Sequence, residues 1–359
     1  MSMAVNKYMK FSGIIFFILV SLYSVKAQEP IFNEYGKIDR QVERIPDSLS
    51  NNIIHLHQYL DSISVGDQER IRAFYMWIIT NIKYEDQVEL LYDKNLLFYM
   101  GSNNSVSPVS VLKKKKAVCE GFSKLFQFFC MQSGIEAYTI GGYISKKGAL
   151  QDRATHSWNV AKVNNEWRFF DLTWAYASLE YTGIKRSTNE FFMVSPSEFV
   201  LSHLPLVPMW QFLETPVPIY VFNMGDELIT SYLIKKKPHY NYEDSLKTYR
   251  QLSIKERSLK TANEIYKTNP SNKFNRAIEY YRYARVILNY QKSLRNRSVD
   301  ELVKARDMIR LAMQLFRADQ DVASQLMFLQ ALDSLSVLEN WIHKINLKNK
   351  VHVPTKSDL

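Results

Sequence analysis

Phe122, Leu125, Phe126 and Phe129 recur at the i, i+3, i+4, i+7 spacing of one helix face. The pattern predicts a buried helix with Cys119 at its first turn, and Gly121 permits close approach there. Further on the period changes from 3.6 to two. Ile140 to Ile144, His156-Ser157-Trp158-Asn159-Val160 and Trp167-Arg168-Phe169-Phe170-Asp171 read as strands. The Gly141-Gly142 pair inside the first of these marks close backbone packing. Val163-Asn164-Asn165-Glu166 predicts a tight hairpin, because Asn tolerates the left-handed backbone such turns need. A two-residue loop sets Trp158 opposite Asp171 and His156 opposite Thr173. His156 and Asp171 then become diagonal neighbours on one face, with backbones ~7–8 Å apart. A four-residue loop also leaves them on one face, since side chains alternate.

The wider pattern divides the chain. Residues 28–64 read as a leading helical segment, and 65–215 hold the strands and the Cys119 helix. Within that region, Asp86 to Ser107 is rich in Tyr and Asn and is expected to be a loop lining a cleft. Four prolines between Leu204 and Pro218 mark a boundary. Residues 216–242 read as a linker with short strands, Ile219 to Leu233 being the β-like part. From 243 to 347 the pattern predicts a bundle of three or four antiparallel helices, followed by a tail over 348–359. Ala277, Tyr280, Tyr281 and Ala284 lie at helical spacing, as do Leu302, Ala305, Met308 and Leu311-Ala312. Ser298 with Glu301 resembles a capping box. These stripes read as core, with a groove for a partner protein's peptide or helix as the alternative.

The first 27 residues carry Lys7 and Lys10, an apolar run from Phe11 to Tyr23, and Val25-Lys26-Ala27 as a small-residue cleavage site. That is an export signal, too short for a span of ~20 apolar residues. The mature protein is expected in the periplasm or outside the cell, with an uncleaved signal anchor as the alternative. No later segment offers a membrane span. The formal charge is +10, with basic runs at Lys113 to Lys116 and Lys235 to Lys237. Both runs read as solvated loops, although the first stands near Cys119 and could steer a substrate. Export argues against nucleic acid as a partner. No Cys/His spacing suggests a metal site and no glycine-rich loop suggests a nucleotide, so no cofactor is expected.

Only two cysteines occur in the 359 residues. A disulfide between Cys119 and Cys130 is not expected, because eleven residues of the expected helix separate them by ~16 Å. Cys130 has the setting of a small buried hydrophobe. Cys119 differs: unpaired amides and the positive dipole end of a helix favour a thiolate there. With His156 and Asp171 on neighbouring strands, the set Cys119, His156 and Asp171 has the residue types for nucleophilic acyl transfer.

Cys119-Glu120-Gly121-Phe122, His156-Ser157-Trp158-Asn159 and Asp171-Leu172-Thr173-Trp174 resemble the three motif blocks of the transglutaminase-like superfamily, in particular its kyphoscoliosis-peptidase-like branch in bacterial exported proteins. Trp77 to Tyr84, Phe191 to Pro196, and His203-Leu204-Pro205 through Trp210-Gln211 extend the likeness across about residues 65–215. Phe122-Ser123 depart mildly from the Tyr or Ala common in the first block. The resemblance implies an α/β core of papain type, α+β in layout, with the nucleophile helix packed on an antiparallel sheet. An all-α helical domain follows it. It also implies that Cys119 is nucleophile, His156 general base then acid, and Asp171 its orienter. The expected activity is acyl transfer on peptide or protein amides through a thioester, with hydrolysis favoured over cross-linking. The alternative is a non-catalytic scaffold that keeps the fold.

Overall fold

The computed structural model describes residues 34–85, 106–145, 152–235, 239–319 and 321–351. The export signal, most of the Tyr- and Asn-rich segment, Lys236-Lys237 and the end of the tail lie outside the described residues. Among those described, no helix is long and apolar enough to cross a membrane.

Three helices open the described chain: α1 (Gly36–Glu43), α2 (Ile53–Ser62) and α3 (Gly66–Asn81). Asn52 caps α2 by accepting the Ile54 and His55 amides. Buried Arg72 of α3 grips Asp39 of α1 through two bonds of 2.8 and 2.9 Å, tying the leading segment into the core. After α4 (Pro108–Lys114) comes α5 (Cys119–Gln132), whose Phe122, Leu125, Phe126 and Phe129 are fully buried. A two-stranded parallel pair, β1 (Lys83–Tyr84) with β2 (Lys116–Ala117), brings the end of α3 to the start of α5.

Four antiparallel strands follow in the order β5-β4-β3-β6: β3 (Ala137–Ile144), β4 (His156–Val163), β5 (Glu166–Phe170) and β6 (His203–Pro205). The hairpin forms as predicted. Val163 pairs with Glu166, and Asn164 and Asn165 take positive φ of 51° and 66°. One sheet face packs on α3 and α5 through Ala137, Ala161, Val163 and Phe170. The other packs Ile140, Trp158, Val160 and Phe169 against Phe199 to Phe212. Gly142 meets the Leu204 carbonyl and the Trp158 ring so closely that a Cβ has no room. A Cβ on Gly121 would lie 2.6 Å from that of Ala117, so its close approach is also real.

Expectations change in the linker and in the basic run. The 216–242 segment contains helices rather than short strands: a turn at Ile219–Phe222 and α7 (Asp226–Ile234). Val221, Phe222 and Ile229 are drawn into a cluster with Tyr143, Ala154 and Leu204, so packing overrides the local β preference. In the basic run, Lys113, Lys114 and Lys116 are exposed, whereas Lys115 is not a solvated loop residue. It takes φ 55° at the end of α4, and its ammonium lies 4.4 Å from the centre of the Trp77 ring.

The C-terminal part comprises α8 (Tyr242–Gln251), α9 (Ile254–Thr268), α10 (Lys273–Ser293), α11 (Val299–Arg317) and α12 (Val322–Val351). The last four pack in sequence around Ala277, Tyr280, Tyr281, Ala284, Leu302 and Ala305. On α11 the buried stripe continues through Ile309, Ala312 and Phe316, while Leu311 points outward. Ser298 accepts the Glu301 amide at 3.3 Å, but the Glu301 carboxylate turns to Lys255 and Lys304 instead of closing a capping box. Ser253 with Glu256 forms that box on α9.

Candidate active site

Helix α5 begins at Cys119, with Val118 as its extended N-cap. The side chain is 7% exposed. Strand β4 begins at His156, paired to Gly142 of β3. Asn159, one turn of the pleat further on, donates to the carbonyls of Ser123 in α5 (2.9 Å) and Tyr138 in β3 (3.2 Å). That bridge fixes the strand of His156 against the helix of Cys119.

Asp171 is not the last strand residue. The ladder stops at Asn159 opposite Phe170, and Asp171 turns the chain into α6 (Leu172–Thr182) as its N-cap. The predicted pairs Trp158 with Asp171 and His156 with Thr173 therefore do not form, because capping wins over strand continuation. Oδ1 of Asp171 accepts the amides of Thr173 and Trp174 at 3.0 Å each and the Thr173 hydroxyl at 2.8 Å. Oδ2 faces two imidazoles: His156 Nε2 at 2.6 Å and His203 Nε2 at 3.0 Å.

Cys119, at the head of α5, is near enough to the His156 ring to favour its protonated form. Burial opposes protonation of His156, but Asp171 and Cys119 outweigh it and push its pKa up to about 10. Burial likewise opposes ionisation of Asp171, yet His156, and His203 after it, hold its carboxyl far below the usual carboxylate range. His203 goes the other way: burial lowers its pKa despite Asp171, leaving it neutral. Its Nδ1 accepts from the Ser202 hydroxyl at 2.7 Å, so Nε2 carries the proton donated to Asp171. Trp158 and Trp174 stand 5.9 and 6.0 Å from the His156 ring and wall it from solvent.

The fold thus brings His156 and Asp171 together at one end of the sheet and sets Cys119 at the head of the helix bridged to the His156 strand. Cys130, also a free thiol, is fully buried and burial raises its pKa strongly, so it is no nucleophile. Sequence reasoning missed His203 as a site residue. Its strand is only three residues long, and no spacing connects it to Asp171. The signal available was the His203-Leu204-Pro205 block itself. His156, Asp171 and His203 also bring three metal-ligand atoms within 4.8 Å of one another. Both imidazole N–H groups are already satisfied by the carboxylate, so proton-mediated bonding accounts for the arrangement.

A thiol at a helix N-terminus, with an imidazole oriented by a buried carboxylate on the strand tied to that helix, supplies the residue types that thiol enzymes use. Residues 55–172 match the family model described as the Transglutaminase-like superfamily. The chain's relatives are kyphoscoliosis-peptidase-like. The kyphoscoliosis peptidase of Mus musculus is 29% identical over 207 residues, and that of Homo sapiens 27%, covering 55% of this chain. The matched region spans 30% of the length of those relatives. A crystal structure of a TGase shares 16% identity over 45% of this chain and 37% of its own, with a TM-score of 0.27.

Proposed function

We propose that this protein is a thiol enzyme acting on amide carbonyls of peptides or proteins, with Cys119 as nucleophile, His156 as general base then acid, and Asp171 as its orienter. The observation carrying this reading is the 2.6 Å bond from the His156 imidazole to fully buried Asp171, on a strand that Asn159 ties to the helix headed by Cys119.

The chemistry follows from the geometry. Nε2 of His156 is committed to Asp171, which leaves Nδ1 for the thiol. Nδ1 takes the thiol proton as attack begins, and the bond to Asp171 stabilises the imidazolium that forms. The thiolate attacks the carbonyl carbon, and the oxyanion meets the Cys119 amide. That N–H lies in the first helical turn and has no partner within the helix. The imidazolium gives its proton to the departing amine, and a thioester remains. Water activated by neutral His156 then releases the acid. A lysine amine in place of water would give a cross-link. Kinship with proteins named peptidases favours hydrolysis. The apolar run from Phe11 to Tyr23 favours action outside the cytoplasm, and the exposed face of the C-terminal helices offers room for a protein partner.

The test is the pH dependence of Cys119 alkylation by iodoacetamide in a Cys130→Ser background. Reaction well below the ordinary thiol pKa of ~8.5, abolished in His156→Ala, supports the reading. An ordinary thiol profile would leave the scaffold reading, in which Cys119→Ser changes nothing in any assay.

A further inference from the structure

The chain leading into His156 is held by the C-terminal helices. Strand β4 pairs with β3 only as far as His156 opposite Gly142, and with β5 only from Asn159. The backbone of Ala154 therefore lies beyond both ladders, although the residue is only 8% exposed. Asn275, in the first turn of α10, supplies what a neighbouring strand would. Its Oδ1 accepts the Ala154 N–H at 2.8 Å and its Nδ2 donates to the Ala154 carbonyl at 3.1 Å. Buried backbone groups need such partners.

Arg153 adds a second hold on the same two-residue stretch. Its guanidinium forms a two-pronged pair with Asp321 at 3.0 and 2.8 Å. Its carbon lies 4.6 Å from the centre of the Phe274 ring. Asp321 itself caps α12 through the amides of Ala323 and Ser324, so the pair anchors the loop to a helix end. On the adjacent strand, the buried Tyr143 hydroxyl accepts from Asn269 at 2.9 Å and from Asn272 at 2.6 Å. Asn272 in turn caps α10. Contacts from the α9–α10 turn, the start of α10 and the α11–α12 turn all converge where β4 begins.

We propose that Asn275, supported by the Arg153–Asp321 pair, is a positioning residue for His156, so that the C-terminal helices are a working part of the active site. The proposal rests on the Cys119–His156 reading above. An imidazole two residues beyond Ala154 keeps its alignment with both Cys119 and Asp171 only while that backbone is pinned. Small displacements matter, because a proton shared between thiol and ring depends steeply on their separation.

The experiment uses the full chain with Cys130→Ser and measures iodoacetamide alkylation of Cys119 across pH. Asn275→Leu is expected to slow alkylation at about pH 6 by roughly tenfold or more, with the rate near pH 9.5 and the helical circular dichroism unchanged. Asn275→Gln, which keeps both amide groups, should fall between this variant and the parent. Identical profiles for the parent and Asn275→Leu, with fast low-pH alkylation in both, overturn the positioning role and leave the thiolate reading standing. An ordinary profile in the parent overturns both. Should Asn275→Leu fail to fold, Asn275→Asp, which keeps the acceptor for the Ala154 N–H but loses the donor to its carbonyl, is read the same way: slowed low-pH alkylation supports the role and a parent-like profile overturns it.

Discussion

The side-chain amide of Asn159 donates to the Ser123 carbonyl at 2.9 Å and so joins the strand that begins at His156 to the helix that begins at Cys119. Asn159 is fully buried, and its second bond goes to Tyr138. Replacement by Leu keeps the volume but strands two buried carbonyls. Loss of about 1–3 kcal/mol of stability is expected. Iodoacetamide alkylation of Cys119 at neutral pH should slow more than global stability alone explains, measured well below the melting temperature. Unchanged alkylation in a destabilised protein would show that the bridge serves stability only.

Asp171→Asn separates charge from capping. An Asn side chain still accepts the Thr173 and Trp174 amides, so α6 should remain capped and the fold intact. The charge that raises His156 is lost, however. In the parent, the raised folded pKa means His156 contributes stability that is complete below its unfolded value of ~6.5 and lost as pH rises through about 10. In Asp171→Asn that alkaline loss should move to lower pH. Turnover should fall by orders of magnitude, ~10⁴ where an analogous aspartate has been replaced in a triad. A melting-temperature series from pH 6 to 11, run on both proteins, reads the shift directly.

Gly142→Ala tests the packing between β3 and β6. The added methyl would collide with the Leu204 carbonyl and the Trp158 ring, and the backbone carbonyl cannot yield as a flexible side-chain tip could. Destabilisation of about 1–3 kcal/mol or more is expected. Since Leu204 adjoins His203, the variant should also weaken the His203–Asp171 contact. Gly141→Ala has space, with its nearest side-chain atom at 3.7 Å, and should be nearly silent. Equal melting temperatures for the two alanine variants would refute the argument.

How far the site could be read from the chain depended on the range of the interactions. The Asn164-Asn165 turn is local, and it sets the register that brings Phe170 opposite Asn159 and so delivers Asp171 to the His156 end of the sheet. The start of α5 is also local, written in the spacing of Phe122 to Phe129. The end of β5 was misread because strand and cap patterns overlap at Asp171: an acidic residue after two phenylalanines continues alternation as well as it begins a helix. The helices at 219–234 were misread because their apolar residues pack against Tyr143 and Leu204, contacts no local pattern shows. The block around His203 is legible, but its bond to Asp171 and the Asn275–Ala154 bond are not, since each links residues more than 30 positions apart.

His203 gives the last prediction, because it shares Asp171 Oδ2 with His156 yet titrates in the opposite direction. The residue is 1% exposed, its ring stacked 4.2 Å from Phe199 and tilted against Trp174 at 4.4 Å. A lowered folded pKa means the neutral form is what the fold accepts. Stability from this residue is therefore complete above its unfolded value of ~6.5 and declines as pH falls below it. His203→Phe preserves the stacking but removes the N–H aimed at Asp171. A hydrogen bond to a charged group contributes about 1.5–3 kcal/mol, so Asp171 should be held less firmly and turnover should drop roughly 10- to 100-fold. With one fewer donor, the carboxylate binds the His156 proton more strongly, so the alkaline limit of the ion pair should move upward, the reverse of Asp171→Asn. The acid-side loss of stability should shrink as well, since the titrating ring is gone. Opposite shifts of the alkaline limb in these two variants would mark His203 as a tuner of Asp171, whereas a parent-like pH profile in His203→Phe would reduce it to a packing residue.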